Sequence, residues 1–475
     1  MYFLKKAMTK EATTASAGIS SGENILGTKP IPELLLKFAV PSVVSMLVNS
    51  IYNLVDQIFI GQGVGYLGNA ATNVVFPFVM ISMAVSLMIS VGTAANVGLN
   101  LGKGDQDRAN RILGNGLSLA LLSGCVILAA GELFLIPLLR LFGATDTIMP
   151  YAVDYGQIYL VGTMFTTIGI LLNDIIRADG NPSYSMRSML LGAGINIVLD
   201  PLFIFVFHWG VQGAALATIL GQMATLLCGL AYLKKLRTLQ MKRENMRLNG
   251  EMVRSVMTLG LSSFFTQFAA LFMQIIMNQQ TIKYGELSVY GADIPLTVFG
   301  IVNKVNGLMM SLIMGISTGS QPLFSFNYGA KKFLRVKRLV KTSMTVCVVI
   351  GFIGMLCLQS FPNQIISIFG QESALYNEFA VMCLKNMTVF IFVMGVQMVA
   401  GVYYQAVGKP VGALMLSLSR QVLFMIPCFL ILPVFFGIKG VMWSFPVSDV
   451  LSVAMAAVML VMEMRKLDQM IRENG

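Results

Sequence analysis

The chain has 475 residues, 56% of them hydrophobic and only 12% charged, where a soluble domain carries about a quarter charged residues. That composition excludes a soluble multidomain enzyme. A formal net charge of +11 would raise the question of nucleic acid in a soluble protein, but here the charge lies between long apolar runs.

In chain order, residues 1–33 open with Lys5 and Lys6 and a Ser/Thr/Gly/Ala tract that lacks the apolar core of a cleavable signal. They read as a flexible cytoplasmic tail. From about Leu35 to Met462 the apolar runs recur, each long enough to cross a hydrocarbon core of about 30 Å as a helix. Breaks at Gly, Pro and charge clusters give twelve spans: 35–60, 70–101, 110–136, 150–176, 184–207, 211–233, 253–281, 294–326, 339–361, 376–401, 411–433 and 438–463. Barrel strands are alternating segments of about ten residues, so these continuous runs predict an all-α polytopic membrane protein. The six cysteines all fall in apolar runs without CxxC spacing and read as small core hydrophobes.

Lys and Arg test the count, because they collect in cytoplasmic loops. The N-terminal tail, the even-numbered loops and the C-terminus hold 27 of the 33, against Arg140, Lys283 and Lys439 on the other side. Lys304, Lys385 and Arg420 lie inside spans. The chain is thus expected to be multi-pass in the cytoplasmic membrane of a bacterium, with both termini cytoplasmic. Its basic loops are expected to meet membrane lipids and no nucleic acid.

A shift of 227 residues aligns Ser90 with Ser317, Gly92 with Gly319, Asn100 with Asn327, Gly102 with Gly329, Arg108 with Arg335 and Phe142-Gly143 with Phe369-Gly370. The chain therefore reads as two six-helix halves: a first bundle over 34–233, a linker over 234–252, a second bundle over 253–464 and a cytoplasmic tail over 465–475. Six is even, so both halves enter with one orientation and are related by an axis along the membrane normal. Such repeats belong to transporters that alternate access around a site between the halves.

Val55 to Gly61, Arg177 to Pro182, Asn196 to Pro201, Gly210 to Ala215, Gln321-Pro322 and Asn327 to Ala330, in that order on a six-plus-six repeat, resemble the multidrug and toxic compound extrusion (MATE) family. The length and Met content look most like its MepA-like branch. The resemblance implies a V-shaped pair of six-helix bundles that exports organic cations in exchange for protons or sodium ions.

A charge at mid-bilayer costs about 2.5 to 3.5 kcal/mol on insertion scales, so carboxylates inside spans are functional candidates. Glu132, Asp154 and Glu378 lie near outer ends, where headgroup water solvates them. Asp56 in span one and Asp200 in span five sit at similar depth, roughly 7 to 12 Å from the outer surface. Asn196 shares a helix face with Asp200, and Thr218 of span six reaches the same level. These oxygens suit a hard cation or a shared proton, and in the family the matching aspartates bind the coupling ion, so Asp56 and Asp200 are also the metal ligands if that ion is Na⁺. The shift carries Asn196 to Leu423, Asp200 to Pro427 and Asp56 to Lys283, so the site belongs to the first half. A NorM-like branch also has acids in spans seven and ten, which this chain lacks away from the rim. Asp174 and Asn173 lie toward the opposite surface, and Arg420 and Asp449 are placed to form a buried pair.

For the substrate, Met is flexible and polarisable and aromatic faces attract organic cations. Met83 and Met310, from repeat-related clusters in spans two and eight, with Asn53, Gln57, Gln274 and Asn278, are the expected cavity residues. Walker-type loops, nucleophile motifs and metal-ligand clusters are absent from the sequence, so the expectation is a monomeric secondary antiporter without a cofactor, driven by H⁺ or Na⁺. The alternative is a lipid-linked saccharide flippase of the same superfamily, for which Lys304, Lys385 and Arg420 would supply positive charge.

Overall fold

The computed structural model describes residues 25–368 and 373–474; the expected tail up to residue 24, and the Phe369-Gly370 end of the repeat alignment, lie outside the described residues. Twelve helices among the described residues are long and apolar enough to cross a membrane: α1 Ile31–Gly63, α2 Leu67–Lys103, α3 Gln106–Leu141, α4 Met149–Ala178, α5 Pro182–Val206, α6 Gly210–Leu233, α7 Gly250–Glu286, α8 Asp293–Gly329, α9 Phe333–Ser360, α10 Ala374–Ala406, α11 Pro410–Phe436 and α12 Ile438–Glu473. The protein is a multi-pass membrane protein, and both ends of this twelve-helix run lie at one end of the bundle, here called the terminal end. Side chains set the boundaries: Asp105 and Asn249 cap α3 and α7 by accepting backbone N–H groups at 2.9 to 3.3 Å, and Gly104 closes α2 with a left-handed φ of 79°.

Both expected tails prove ordered where described. Ile25–Gly27 forms a 3₁₀ turn with Leu26 buried, and Asn327 and Lys332 of the second half donate to Leu26 O at 3.0 Å and Gly27 O at 2.9 Å. Backbone carbonyls held by side chains fix residues that composition alone marks as loose. At the other end α12 runs on through the expected tail, because Leu467 is buried, Met470 and Ile471 pack on the core, and Asp468 accepts from Lys337 at 2.7 Å. The linker is tied as well. Buried Asp179 accepts from Tyr232 Oη at 2.9 Å, Thr238 Oγ1 at 2.6 Å and the backbone N–H groups of Arg237 and Thr238 at 2.8 Å, while Asn110 accepts from Gln240 N at 2.7 Å.

The halves meet through α1 against α8, and α2 against α7 and α8. A Cβ on Gly102 would fall 2.1 Å from Phe326 O, and one on Gly329 would fall 2.1 Å from Leu99 O. Both pairs are exchanged by the 227-residue shift, which places the pseudo-twofold axis between α2 and α8. Only glycine admits backbones this close. All of this lies toward the terminal end. The α1–α8 seam continues through Gly315 against Val43 and ends at Ser50 and Ser311, whose hydroxyls are 2.7 Å apart. Past that contact Asn53 is exposed, and the Gly307 and Gly300 positions of α8 meet nothing within 4 Å, so the two helices part toward the distal end.

The cysteines divide differently from the expectation. Cys347 and Cys383 are buried, Cys228 and Cys428 partly so, but Cys125 and Cys357 are exposed on the helix surface, which in a membrane protein faces lipid and remains apolar.

Candidate functional site

Asp200 occupies the last turn of regular α-helix in α5. Pro201 follows and has no N–H to give Ile197 O, and the chain widens into a π turn over Leu202–Val206, a distortion frequent at functional sites. Asn196 and Asp200 point into the first half, at 2% and 0% exposure, while Val198 on the opposite face is exposed. The crossing of α5 and α6 is unusually close. A Cβ on Gly192 would lie 2.6 Å from Gly221 O, and one on Gly221 equally near Gly192 O. One helical turn farther along α5, that proximity brings Asn196 to Thr218.

Four of the expected residues thus come together. The Asn196 amide bridges them in the orientation that satisfies both ends: its nitrogen lies 3.3 Å from Asp200 Oδ2, and its oxygen accepts from Thr218 Oγ1 and the Thr218 backbone N–H at 3.3 Å. From α1, the Asp56 carboxyl comes close enough to Asp200 for the two to interact electrostatically. Asp56 Oδ1 is buried and has no hydrogen-bond partner. Tyr52 and Tyr155 lie within electrostatic range of both carboxyls, and Tyr159 stacks on Tyr155 with ring centroids 6.1 Å apart. Neither charge nor depth marks these tyrosines in the sequence. The signal available was spacing: Tyr52 precedes Asp56 by four residues on one helix, and Tyr155 and Tyr159 are likewise four apart.

A carboxyl pair of this kind, with tyrosines nearby and one oxygen without a partner, can chemically take up one small cation or one proton. Two adjacent carboxylates repel strongly in a low dielectric, and a cation between them removes the repulsion. In the second half Leu423 and Pro427 stand at the equivalent positions, and the buried charges pair instead: Arg420 Nε donates to Asp449 Oδ1 at 2.9 Å, and Lys409 bonds to buried Glu463, which also accepts from Tyr403 Oη at 3.2 Å. Asp174 is likewise tied, to Arg177 and to Ser90 Oγ at 2.5 Å.

The expected substrate residues are more scattered. Asn53 is exposed but bonds its own helix at Asn49 O. Gln57 meets Thr72 Oγ1 at 3.5 Å, and Gln274 donates to Asn278 at 3.1 Å on exposed α7 surface. Among the described residues no hydrogen bond joins the α1 pair to the α7 pair. Met83 is half-buried on α2, whereas Met310 packs on the second half's core and its neighbour Met309 reaches Gly354 of α9. Met277 is also turned inward, where Asn303 Nδ2 lies 3.5 Å from its sulfur. At the terminal end a crevice of about 660 Å³ between the halves is lined by Lys103, Arg254 and Lys331, with Glu251 its acid.

Comparisons with known proteins agree on the architecture. The chain is 24% identical over 439 residues to the multidrug export protein MepA of Staphylococcus aureus, covering 92% of this chain and 94% of the relative. It is 25% identical over 437 residues to a protein of Shewanella oneidensis described as an FAD transporter, covering 89% and 92%. A solved structure described as the outward-facing conformation of a multidrug resistance MATE family transporter superposes with a TM-score of 0.89 at 23% identity, covering 95% of this chain and 100% of that one. The MatE family model matches residues 41–202 and 262–430, one segment in each half. The chain belongs to the MatE family.

Proposed function

We propose that the protein is a secondary antiporter that exports organic cations and other toxic compounds in exchange for inward H⁺ or Na⁺, with the ion taken up at Asp56 and Asp200. The observation that carries this reading is the carboxyl pair itself: Asp200 fully buried, Asp56 nearly so, and Asp56 Oδ1 without a partner. An ionisable group enclosed by apolar helices is a costly feature whose common use is ion movement. Asn196 and Thr218 hold Asp200 in place, so the pair is ready for a cation without rearrangement. Export follows from competition. Occupation by the ion removes the negative charge that attracts a cationic drug, so binding of either disfavours the other, by the same factor in both directions. The basic loops at the terminal end support a cytoplasmic placement of both termini, which makes the parted, distal face of the cleft the extracellular one.

Purified protein in liposomes, loaded with ethidium and given a proton gradient or a sodium gradient in turn, tests the proposal. One gradient is expected to drive efflux, and Asp200→Asn is expected to stop it. Efflux unchanged in Asp200→Asn would remove the site, and no efflux under either gradient would remove the antiport. A second reading, movement of a phosphate-bearing molecule such as a lipid-linked saccharide, is favoured by the basic lining of the terminal crevice, Lys103, Arg254 and Lys331. It predicts transport of a phosphorylated cargo with no response to Asp200→Asn.

A further inference from the structure

The turn between α8 and α9 is the repeat partner of the turn between α2 and α3, and the two differ in charge. The 227-residue shift lays Gly104-Asp105-Gln106-Asp107-Arg108 on Lys331-Lys332-Phe333-Leu334-Arg335, and Arg111 on Arg338. In the first half two acids balance two arginines at these positions, Asp105 caps α3, and Arg108 pairs with Glu251 at 2.8 Å. In the second half Lys332 and Leu334 take the places of the acids, and Lys331 takes the place of the glycine. Four cations therefore stand where the first half is neutral. Gly104 adopts its left-handed φ of 79° freely, whereas Lys331 holds a φ of 55°, a conformation that a side chain disfavours. The lysine stands where the backbone favours glycine.

Lys331, Lys332, Arg335 and Arg338 line one cavity of about 380 Å³ at the terminal end. Among the described residues none of the four has an ion-pair partner, because the nearby acids are taken: Glu33 pairs with Lys29, and Asp468 with Lys337. Lys332 and Arg335 donate to the carbonyls of Gly27 and Lys29. Even so, Arg335 Nε is buried without a hydrogen-bond partner, a donor left at a cost until an acceptor reaches it. The rest of the wall is largely apolar: Ile31 at the start of α1, Ile471 near the end of α12, and Leu334, which is 51% exposed. A free anion gains nothing from these aliphatic groups. An amphiphile with an oxyanion headgroup uses both kinds of surface, as lipids do in basic pockets between membrane helices.

We propose that this cavity binds the phosphate of an anionic phospholipid, and that Lys331 and Arg338 are the charges that select it over a zwitterionic lipid. Lys332 and Arg335 also hold the start of the chain through its carbonyls, so their part is structural as well. Ile31 belongs to the first half and the other lining residues to the second, so the bound lipid rests on both. The assignment does not depend on the antiporter reading.

The test titrates purified full-length protein in detergent with dioctanoyl phosphatidylglycerol and with dioctanoyl phosphatidylcholine, and counts bound lipid by native mass spectrometry. Wild type is expected to prefer phosphatidylglycerol, and Lys331→Gly combined with Arg338→Gln is expected to lower that preference about thirtyfold, about fivefold for each charge removed. Glycine is at ease in the left-handed conformation, so Lys331→Gly is expected to fold and melt no lower than wild type. Lys331→Arg combined with Arg338→Lys is expected to keep the preference. Lys103→Gln combined with Arg111→Gln, which removes two charges from the first-half side of the same end, is also expected to keep it. An unchanged preference in the glycine variant, an equal loss in the first-half control, or a wild type that binds both lipids alike overturns the proposal. Inorganic phosphate in large excess is expected to leave the bound phosphatidylglycerol in place; displacement by it would make the ligand a soluble phosphate and overturn the lipid assignment.

Discussion

Gly102 and Gly329, partners under the 227-residue repeat, meet across the seam between the halves: a Cβ placed on Gly102 would lie 3.0 Å from Gly329 Cα. Neither helix can keep this spacing with a larger residue, and the contact closes the terminal end while the distal end is parted. Gly102→Val is therefore expected to disfavour the distal-open state. Spin labels at Thr147→Cys and Val289→Cys, in a background without the native cysteines, would read it as a shortened distal distance. An unaltered distance distribution would show that the seam does not set the balance.

The Asn196 bridge gives a graded prediction. Asn196→Ala removes the amide between Asp200 and Thr218 and leaves a buried carboxylate short of one donor, a loss of about 1 to 3 kcal/mol. The expected result is a coupling ion held about tenfold or more tightly, because a carboxylate that has lost its donor gains more from a bound proton or cation, with efflux slowed at ion release but recoverable at a steeper gradient, whereas Asp200→Asn is not recoverable. Efflux measured against gradient size separates the two. Identical, unrecoverable loss in both variants would mean that Asn196 binds the ion directly instead of orienting its ligand.

The reach of the sequence is clearest at this site. Continuous apolar runs and the sidedness of Lys and Arg give the twelve helices, because lipid leaves the backbone no other way to satisfy itself. Depth arithmetic from helix ends puts Asp56 and Asp200 level, and the i, i+4 rule adds Asn196. Residues whose role depends on helix rotation were not legible. Tyr155 reads as one more aromatic in an apolar run until α4 is seen to turn it toward the carboxyls. Met310 reads as cavity lining, but α8 rotates it onto the core of the second half. The Lys409–Glu463 pair joins segments 54 residues apart, and nothing local announces it. Leu26 is buried in a cluster made with the second half, where Asn327, three hundred residues on, holds its carbonyl.

Asp179 makes a prediction outside the membrane. Its carboxylate is the single acceptor that holds Tyr232, Arg237 and Thr238, and so pins the start of the linker to the turn between α4 and α5. Asp179→Ala is expected to release the linker, and limited trypsin digestion is expected to cut at Lys234, Lys235 or Arg237 well before it does so in wild type. Equal digestion rates would show that Asn110 and Asn115, which hold Gln240 and Asn249 at 2.7 Å, suffice.

Arg420 and Asp449 pose the sharpest energetic question in the second half. Both are largely buried, at 15% and 4% side-chain exposure, and the pair joins the π turn of α11 to the middle of α12. Removing one member leaves the other charge buried and unpaired, which costs about 3 to 5 kcal/mol, whereas replacing both by apolar residues of similar volume is often neutral or stabilising. Arg420→Met alone and Asp449→Leu alone are thus expected to lower the melting temperature in detergent by several degrees, and the double variant to regain most of it. Transport distinguishes a structural pair from a working one: a double variant that melts like wild type and still exports ethidium confines the pair to holding α11 against α12. One that melts normally but has lost export would give the pair a part in the transport cycle. A single Arg420→Met that melts like wild type would mean that Asp449 is neutral without its partner, and the pair contributes little to the fold.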